Sequence, residues 1–165
     1  MHDLNIEAAT AADYPEILAL NEAAIPAVNS IPESKLAALH RQSTYLGVAR
    51  NGAGEMAGFL LALPESADYD SLNFGYFKRT YPAFVYIDRI VVSHRIRRAG
   101  VGAALYADLA GNLPRNCPLL TCEVNLRPPN PTSLAFHERM GFAPVGEQDT
   151  EGGQKRVCLM AKPIG

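Results

Sequence analysis

The sequence lacks the features that mark several classes of protein. It has no apolar run near the ~18 residues of a membrane-spanning helix, and its first residues, Met-His-Asp-Leu-Asn, lack the basic and apolar regions of a signal peptide. Positive charge is not in excess, because 15 lysines and arginines stand against 17 acidic residues and leave a formal charge of −2. We therefore expect a cytoplasmic protein whose main partners are neither membrane nor nucleic acid.

Cysteine is scarce as well. The chain has three, Cys117, Cys122 and Cys158, which is an odd number without a Cys-x-x-Cys pair. Two of them lie in apolar strand-like runs, which favours buried small hydrophobic side chains over a zinc site or a catalytic thiol. We expect reduced cysteines and no metal site.

No long linker, internal repeat or low-complexity tract divides the sequence. With 165 residues, of which 48% are hydrophobic and 19% charged, the chain has the size and composition of one compact domain. The sequence therefore predicts a single domain over residues 1–165.

The sequence lacks two well-known phosphate-binding loops but has a glycine-bearing turn of a different pattern. Residues 97–102 read Arg-Arg-Ala-Gly-Val-Gly and lie between an apolar run, Phe84 to Val92, and a helix-like run, Ala103 to Leu113. A glycine-bearing turn before a helix directs backbone N–H groups at an anion. No Gly-Lys-Ser/Thr follows, and Leu105 stands where a third Rossmann glycine would fall, which disfavours ATP, GTP and NAD. The alternative is a turn that only packs its helix.

The spacing Arg-x-x-Gly-x-Gly resembles the acyl-CoA pyrophosphate loop of the GNAT superfamily of N-acetyltransferases. A second segment, residues 130–142, reads Asn-Pro-Thr-Ser-Leu-Ala-Phe-His-Glu-Arg-Met-Gly-Phe and is similar to that superfamily's Asn-x-x-Ala/Ser-x-x-Leu/Phe-Tyr/His-x-x-x-Gly-Phe. Both motifs occur in the right order around a strand-like run, Leu119 to Asn125. The resemblance implies acetyl-CoA as cofactor and direct acetyl transfer to a primary amine.

The pattern of elements alternates between strands and helices. The resemblance implies an α/β (α+β) fold with a mixed, mostly antiparallel twisted sheet, whose fourth and fifth strands splay apart, flanked by about four helices. Strand-like runs are Leu4–Ala9, Tyr45–Ala49, Met56–Leu63, Phe84–Val92, Leu119–Asn125, Ala143–Glu147 and Arg156–Ala161. Helices are predicted after Thr10–Asp13, over Ser34–Arg41, from about Gly102 and over Pro131–Met140.

The resemblance also implies the residues that contact the cofactor. Backbone groups on the central strand would bind the pantetheine amides, the glycine turn would bind the pyrophosphate, and the second motif would approach the pantetheine chain. Asn130 and Pro131 are at the same time a good helix start, so capping is the structural alternative there. The predicted cofactor contacts are Ile90, Val91, Val92, Arg97, Arg98, Ala99, Gly100, Val101, Gly102, Ala103, Asn130, Ser133 and His137.

A carboxylate on the central strand is the first candidate for the general base. Asp is disfavoured in strands, and a buried carboxylate is costly unless it is paired, so Asp88 invites a functional interpretation. Its alternative is a structural pair with an arginine, a tyrosine or a backbone N–H. Glu123, on the next strand, is the second candidate for the base, although a structural role is the favoured interpretation for it. It is also expected to contact the substrate.

His137 is the candidate acid for the leaving CoA thiolate. The superfamily more often has a tyrosine at this position. The histidine of this chain is similar to the one in acetyltransferases of the phosphinothricin and methionine-sulfone type. A neutral histidine that packs under the cofactor is the alternative.

The loop from Pro64 to Pro82 is rich in aromatic and charged residues, a mixture that is unusual for a solvated linker. We expect Tyr76, Phe77 and Tyr81 to contact the substrate, with a short helix possible in the loop. Asp68 and Asp70 suit a cationic amine, and Lys78 and Arg79 a carboxylate, as in an amino-acid-like molecule. The alternative is a flap over the core or the contact of a homodimer.

Together these observations predict an acetyl-CoA-dependent N-acetyltransferase that acts on a small-molecule amine. Two rivals remain open from the sequence. One is a protein N-terminal acetyltransferase, and the other is a non-catalytic acyl-CoA-binding or protein-interaction module.

Overall fold

A computed structural model describes residues 3–96 and 100–164 of the chain. The predicted cofactor contacts Arg97, Arg98 and Ala99 lie outside the described residues. No helix in the described part of the chain is long and apolar enough to cross a membrane.

The described residues form seven strands and five α-helices. The strands are β1 (Asn5–Ala8), β2 (Tyr45–Arg50), β3 (Met56–Pro64), β4 (Val85–Val92), β5 (Leu119–Arg127), β6 (Ala143–Thr150) and β7 (Lys155–Pro163), and the helices are α1 (Tyr14–Ala23), α2 (Glu33–Gln42), α3 (Leu72–Thr80), α4 (Val101–Gly111) and α5 (Pro131–Arg139). All seven predicted strands and all four predicted helices occur. The fifth helix, α3, lies in the long loop where a short helix was thought possible.

The strands join in the hydrogen-bonded order β1-β2-β3-β4-β5-β7-β6. The pairs β1–β2, β2–β3, β5–β7 and β6–β7 are antiparallel, and β4 runs parallel to β5 with Val85 opposite Leu120 and Tyr86 opposite Thr121. The prediction of a mixed, mostly antiparallel sheet is confirmed.

The chain divides into two compact units. The first comprises Met1–Leu63 and Asp88–Pro114, and the second comprises Pro64–Ile87 and Arg115–Gly165. Strand β4 therefore contributes its first residues to the second unit and its last five to the first. The assignment of residues 1–165 to one acyltransferase domain stays a prediction.

In the first unit, α4 packs against β2 and β1. The Tyr45 hydroxyl of β2 donates to Asp108 Oδ2 of α4 at 2.8 Å, which ties the helix to the sheet. Gly58 of β3 allows a close approach, because a Cβ there would lie 2.7 Å from the Val91 carbonyl oxygen of β4. The end of β4 and α4 are thus held in fixed positions within this unit.

In the second unit, α3 packs on β4 through aromatic rings. Phe74 and Phe77 of α3 have ring centroids 5.5 and 5.9 Å from that of Tyr86, and both contact the ring of Phe84. All four rings are almost completely buried. Ser71 caps the N-terminus of α3, because its hydroxyl accepts the Phe74 N–H at 3.3 Å.

We expect Phe77→Ala to lower the free energy of unfolding by about 3–5 kcal/mol, because it leaves a cavity among these rings. Leu72→Ala in the same helix is the matched control, since Leu72 is 60% exposed and its truncation should cost little. Denaturant unfolding of both variants measures the difference. Equal midpoints for the two variants would contradict the packing described here.

Candidate active site

The glycine turn leads directly into α4. Gly100 has φ +74° and ψ 22°, a left-handed conformation that favours glycine, and α4 begins at the next residue, Val101. The Gly100 carbonyl accepts the first hydrogen bond of the helix, from the Ala104 N–H at 2.9 Å. Because the first N–H groups of a helix have no partner within it, this end of α4 can receive an anion.

The strand that precedes the turn presents two half-buried residues beside a buried one. Val91 is buried, whereas Ile90 and Val92 are partly exposed. The strand ends at Val92, and the N–H of the next residue, Ser93, donates to the Ala57 carbonyl at 2.8 Å. Among the described residues of the first unit, the predicted cofactor contacts thus lie at the end of β4 and at the start of α4.

In the second unit, Asn130 caps the N-terminus of α5, which is the structural alternative predicted for it. Its Oδ1 accepts the Ser133 N–H at 3.3 Å, and Pro131 is the first helical residue. Capping uses one lone-pair direction of the amide oxygen, so it is compatible with the predicted contact to the pantetheine chain, which stays a prediction.

His137 is buried in α5 and its ring is oriented by the helix. Nδ1 lies 2.8 Å from the Ser133 carbonyl oxygen, which can only accept, so Nδ1 carries the proton and donates it. The rings of Phe136 and Phe142 contact the imidazole edge-on at 5.2 and 5.3 Å. Burial lowers the pKa of His137 below its ordinary value of 6.5, and the bond to Ser133 offsets this only in part. A neutral imidazole whose N–H is engaged in this way favours the packing alternative over the acid.

This environment predicts a pH-dependent stability. Because folding lowers the pKa of His137, the unfolded chain binds a proton more readily, and acid favours unfolding. The contribution of neutral His137 to the free energy of unfolding is complete above pH ~6.5. It is lost as the pH falls through the lower pKa of the folded state. We expect His137→Phe to lose less stability than wild type between pH 7.5 and 5.5, as urea unfolding would measure. Parallel stability curves would contradict this.

Asp88 lies in a buried ion pair. Its Oδ2 accepts from Arg89 Nε at 2.7 Å, and both side chains are 3% exposed. Neighbouring side chains in a regular strand point to opposite faces, so the direct contact between Asp88 and Arg89 departs from that alternation. The structure therefore favours the structural alternative for Asp88.

Glu123 is in a different environment. It is half-buried on β5, and its Oε1 accepts the Tyr86 hydroxyl at 2.5 Å. This tyrosine is the one whose ring packs under α3, so the aromatic cluster fixes the hydroxyl that orients the carboxylate. The pair was not predicted from the sequence, because the two residues are 37 positions apart and only their register brings them together.

The three predicted substrate contacts near α3 differ in exposure. Phe77 is fully buried, which corrects the expectation that it touches a substrate, because its ring is enclosed by Tyr86, Phe84 and Tyr81. Tyr76 is half-buried and its hydroxyl donates to the Val145 carbonyl at 3.2 Å. Tyr81 is half-buried and follows the end of the helix. Substrate contact by Tyr76 and Tyr81 stays a prediction.

A comparison with models of known families shows to which family the chain belongs. The sequence model of a family described as "Acetyltransferase (GNAT) family" matches residues 10–142, most of the chain. The chain belongs to the GNAT acetyltransferase family. Acetyl-CoA is the cofactor of that family, so this prediction is confirmed at the level of the family. No curated protein matches the sequence.

Solved structures agree with the fold of this GNAT protein. The ribosomal-protein-S18-alanine N-acetyltransferase from Escherichia coli is 21% identical, with TM-score 0.73 over 99% of this chain and 95% of that one. Ard1 from Thermoplasma volcanium is 17% identical, with TM-score 0.79 over 98% of each chain. A phosphinothricin acetyltransferase from Sinorhizobium meliloti in complex with AcCoA is 22% identical, with TM-score 0.71 over 98% and 89%.

Proposed function

We propose that this GNAT protein transfers the acetyl group of acetyl-CoA directly to the primary amine of a small, amino-acid-like molecule. The observation that carries the proposal is the left-handed Gly100 directly before α4 in a chain of the acetyltransferase family. A helix N-terminus at that place is suited to the pyrophosphate of acetyl-CoA. The fixed geometry of two bound reactants supplies most of the acceleration in a direct transfer. A cytoplasmic location belongs to the same proposal.

The chemistry needs a base for the amine. The amine nitrogen attacks the acetyl carbonyl carbon, a C–N bond forms, the C–S bond breaks, and CoA leaves as the thiolate. We assign the nitrogen's proton to Glu123, because it is half-buried and oriented by Tyr86, whereas Asp88 is engaged with Arg89. Solvent protonates the thiolate, since the N–H of His137 is engaged with its own helix.

A small amine with a carboxylate suits the charges near α3. Asp68 and Asp70 are exposed just before the helix and can attract an ammonium group, and Arg79 is exposed within it. Lys78 donates to the Glu65 carbonyl at 2.7 Å, so Arg79 is the better partner for a carboxylate.

Two panels of acceptors distinguish the substrate classes. One contains free amino acids and related small amines. The other contains short peptides with free N-termini, because the ribosomal-protein-S18-alanine N-acetyltransferase, which has a similar fold, acts on a protein. Release of CoA thiol is measured with each panel. We expect turnover with members of the first panel, and turnover with the peptides alone would replace the small molecule by a protein N-terminus.

A further inference from the structure

The hydroxyl of Thr121 is buried without a hydrogen-bond partner. Thr121 lies on β5 in the second unit and is 0% exposed. In the part of the chain that the structure describes, its Oγ1 is the one buried side-chain oxygen or nitrogen that makes no hydrogen bond. Such a hydroxyl destabilises a fold, because it loses its bonds to water and gains none in exchange. A valine would fill the same space without this cost, so the hydroxyl invites a functional interpretation.

Thr121 lies beside the two residues that form the candidate base. Tyr86 of β4 is its partner in the parallel register, and Glu123 is two residues further along β5. The pairing of β5 with β7 is regular over both Thr121 and Glu123, since its register shift comes only after Asn125. Side chains two residues apart in a regular strand point to the same face, and directly paired residues share a face as well. Thr121, Glu123 and Tyr86 therefore lie on one face of the sheet within the second unit.

The hydrogen bonds that Glu123 needs change when it takes a proton. As a carboxylate it only accepts, and the Tyr86 hydroxyl donates to its Oε1 at 2.5 Å. Once the amine has given up its proton, the carboxyl group carries an O–H that must itself donate. The Thr121 hydroxyl can accept that bond, because its lone pairs are engaged by no other described group. Residues on the same face of a strand are about 7 Å apart, which the side chain of a glutamate and one hydrogen bond can span.

We propose that Thr121 is a positioning residue for the base: its hydroxyl accepts the hydrogen bond of the protonated Glu123 carboxyl group. The inference rests on the proposed function, in which the attacking amine gives its proton to Glu123. Thr121 touches neither reactant, since it is completely buried, and it acts only through Glu123.

The proton can be followed through the step. As the C–N bond forms, the N–H bond of the amine breaks, and the proton becomes the O–H of Glu123. This O–H donates to Thr121 Oγ1, while the Tyr86 hydroxyl donates to the other oxygen of the same carboxyl group. Glu123 is half-buried, so it returns the proton to solvent after the product has left. The hydroxyl that is unpaired before the transfer is thus paired during it.

The test uses two opposite substitutions at the same position of the full chain. Thr121→Val keeps the shape of the side chain and removes the hydroxyl, whereas Thr121→Ser keeps the hydroxyl and removes a methyl group. Thr150→Val is the matched control, because Thr150 is a half-buried residue at the end of β6 in the same sheet, opposite Lys155. Steady-state kinetics with the best acceptor, calorimetry with CoA and thermal midpoints are measured for each.

We expect Thr121→Val to lower kcat by about 10-fold, the effect of one hydrogen bond of ordinary strength, with the amine KM and the Kd for CoA within about 3-fold of wild type. Its thermal midpoint should rise by about 2–4 °C, because a methyl group replaces an unpaired buried hydroxyl. Thr121→Ser should keep kcat within about 3-fold while its midpoint falls, since it leaves a small cavity. Thr150→Val should keep all kinetic constants within about 3-fold of wild type. An unchanged kcat in Thr121→Val, or equal losses of kcat in Thr121→Val and Thr121→Ser, would overturn the proposal.

A double variant shows whether Thr121 acts through Glu123. When Glu123→Gln is already present, Thr121→Val should lower kcat by no more than about 2-fold further, because the group that it serves is gone. A full further loss of about 10-fold would make the effect of Thr121 independent of Glu123 and would overturn the inference. A wild-type protein that turns over no amine, or a Glu123→Gln variant with wild-type kcat, is a failure of the proposed function and is recognised before any Thr121 variant is made.

Discussion

Gly102→Val is expected to weaken acetyl-CoA binding by about 100-fold or more in a protein that remains folded. Gly102 is the second residue of α4, directly after the left-handed Gly100 and Val101. A branched side chain there stands among the N–H groups that we assign to the pyrophosphate, and it prevents the close approach that glycine permits. Isothermal calorimetry with acetyl-CoA measures the loss.

The control for this experiment lies at the other end of the same helix. Gly111 is the last residue of α4, and a Cβ added there meets no atom within 4 Å. Gly111→Val should therefore bind acetyl-CoA as wild type does, and circular dichroism should show both variants folded. Wild-type affinity in Gly102→Val would remove the glycine turn from the cofactor site.

Glu123→Gln is expected to lower kcat by about 100-fold or more, because the amide cannot accept the proton of the attacking amine. The substitution keeps the size of the side chain and an oxygen that can accept the Tyr86 hydroxyl. The Kd for acetyl-CoA should change little. Steady-state kinetics with the best acceptor measures the loss, and a kcat within about 3-fold of wild type would remove Glu123 as the base.

Asp88→Asn separates the two candidate bases. Since Asp88 accepts a bond from buried Arg89, its amide variant leaves a buried guanidinium without its counter-charge, and we expect a large loss of stability. At a temperature where the variant is folded, kcat should stay within about 10-fold of wild type. A greater loss in Asp88→Asn than in Glu123→Gln would return the role of base to Asp88.

Local signals in the sequence were sufficient for most of the fold. The Asn-Pro pair at 130–131 predicted the start of α5, and the apolar run from Met56 predicted β3, because capping and continuous burial depend on neighbouring residues. Helix α3 was not located with the same precision. Its aromatic residues have no strong helix preference, and its buried face is defined by Phe84 and Tyr86, which belong to another element.

The side-chain arrangement of the site depends on contacts that are distant in sequence. Arg89 meets Asn21 and Asn29, which are 68 and 60 positions away, and Tyr86 meets Glu123. From the sequence, Asp88 was the first candidate for the general base, with a structural pair as the alternative, and the structure pairs it with the adjacent Arg89. A charged Asp-Arg pair inside an apolar run was the one available signal for this network.

The chemistry of His137 could not be predicted from the sequence. The resemblance to the superfamily made this histidine the candidate acid for the leaving thiolate. The direction of its N–H is decided by the Ser133 carbonyl, which every residue type carries in its backbone and which the sequence therefore does not distinguish. The tautomer, and with it the chemistry of the ring, required the structure.

The most direct test of this account is amine-dependent release of CoA by the wild-type protein, followed by mass spectrometry of the acceptor. With acetyl-CoA and the panel of small amines, we predict that thiol release depends on the amine and that the N-acetylated amine forms in equal amount. Acetyl-CoA binding without amine-dependent release, across both the small amines and the peptides, would contradict the account and identify the chain as a non-catalytic acyl-CoA-binding protein.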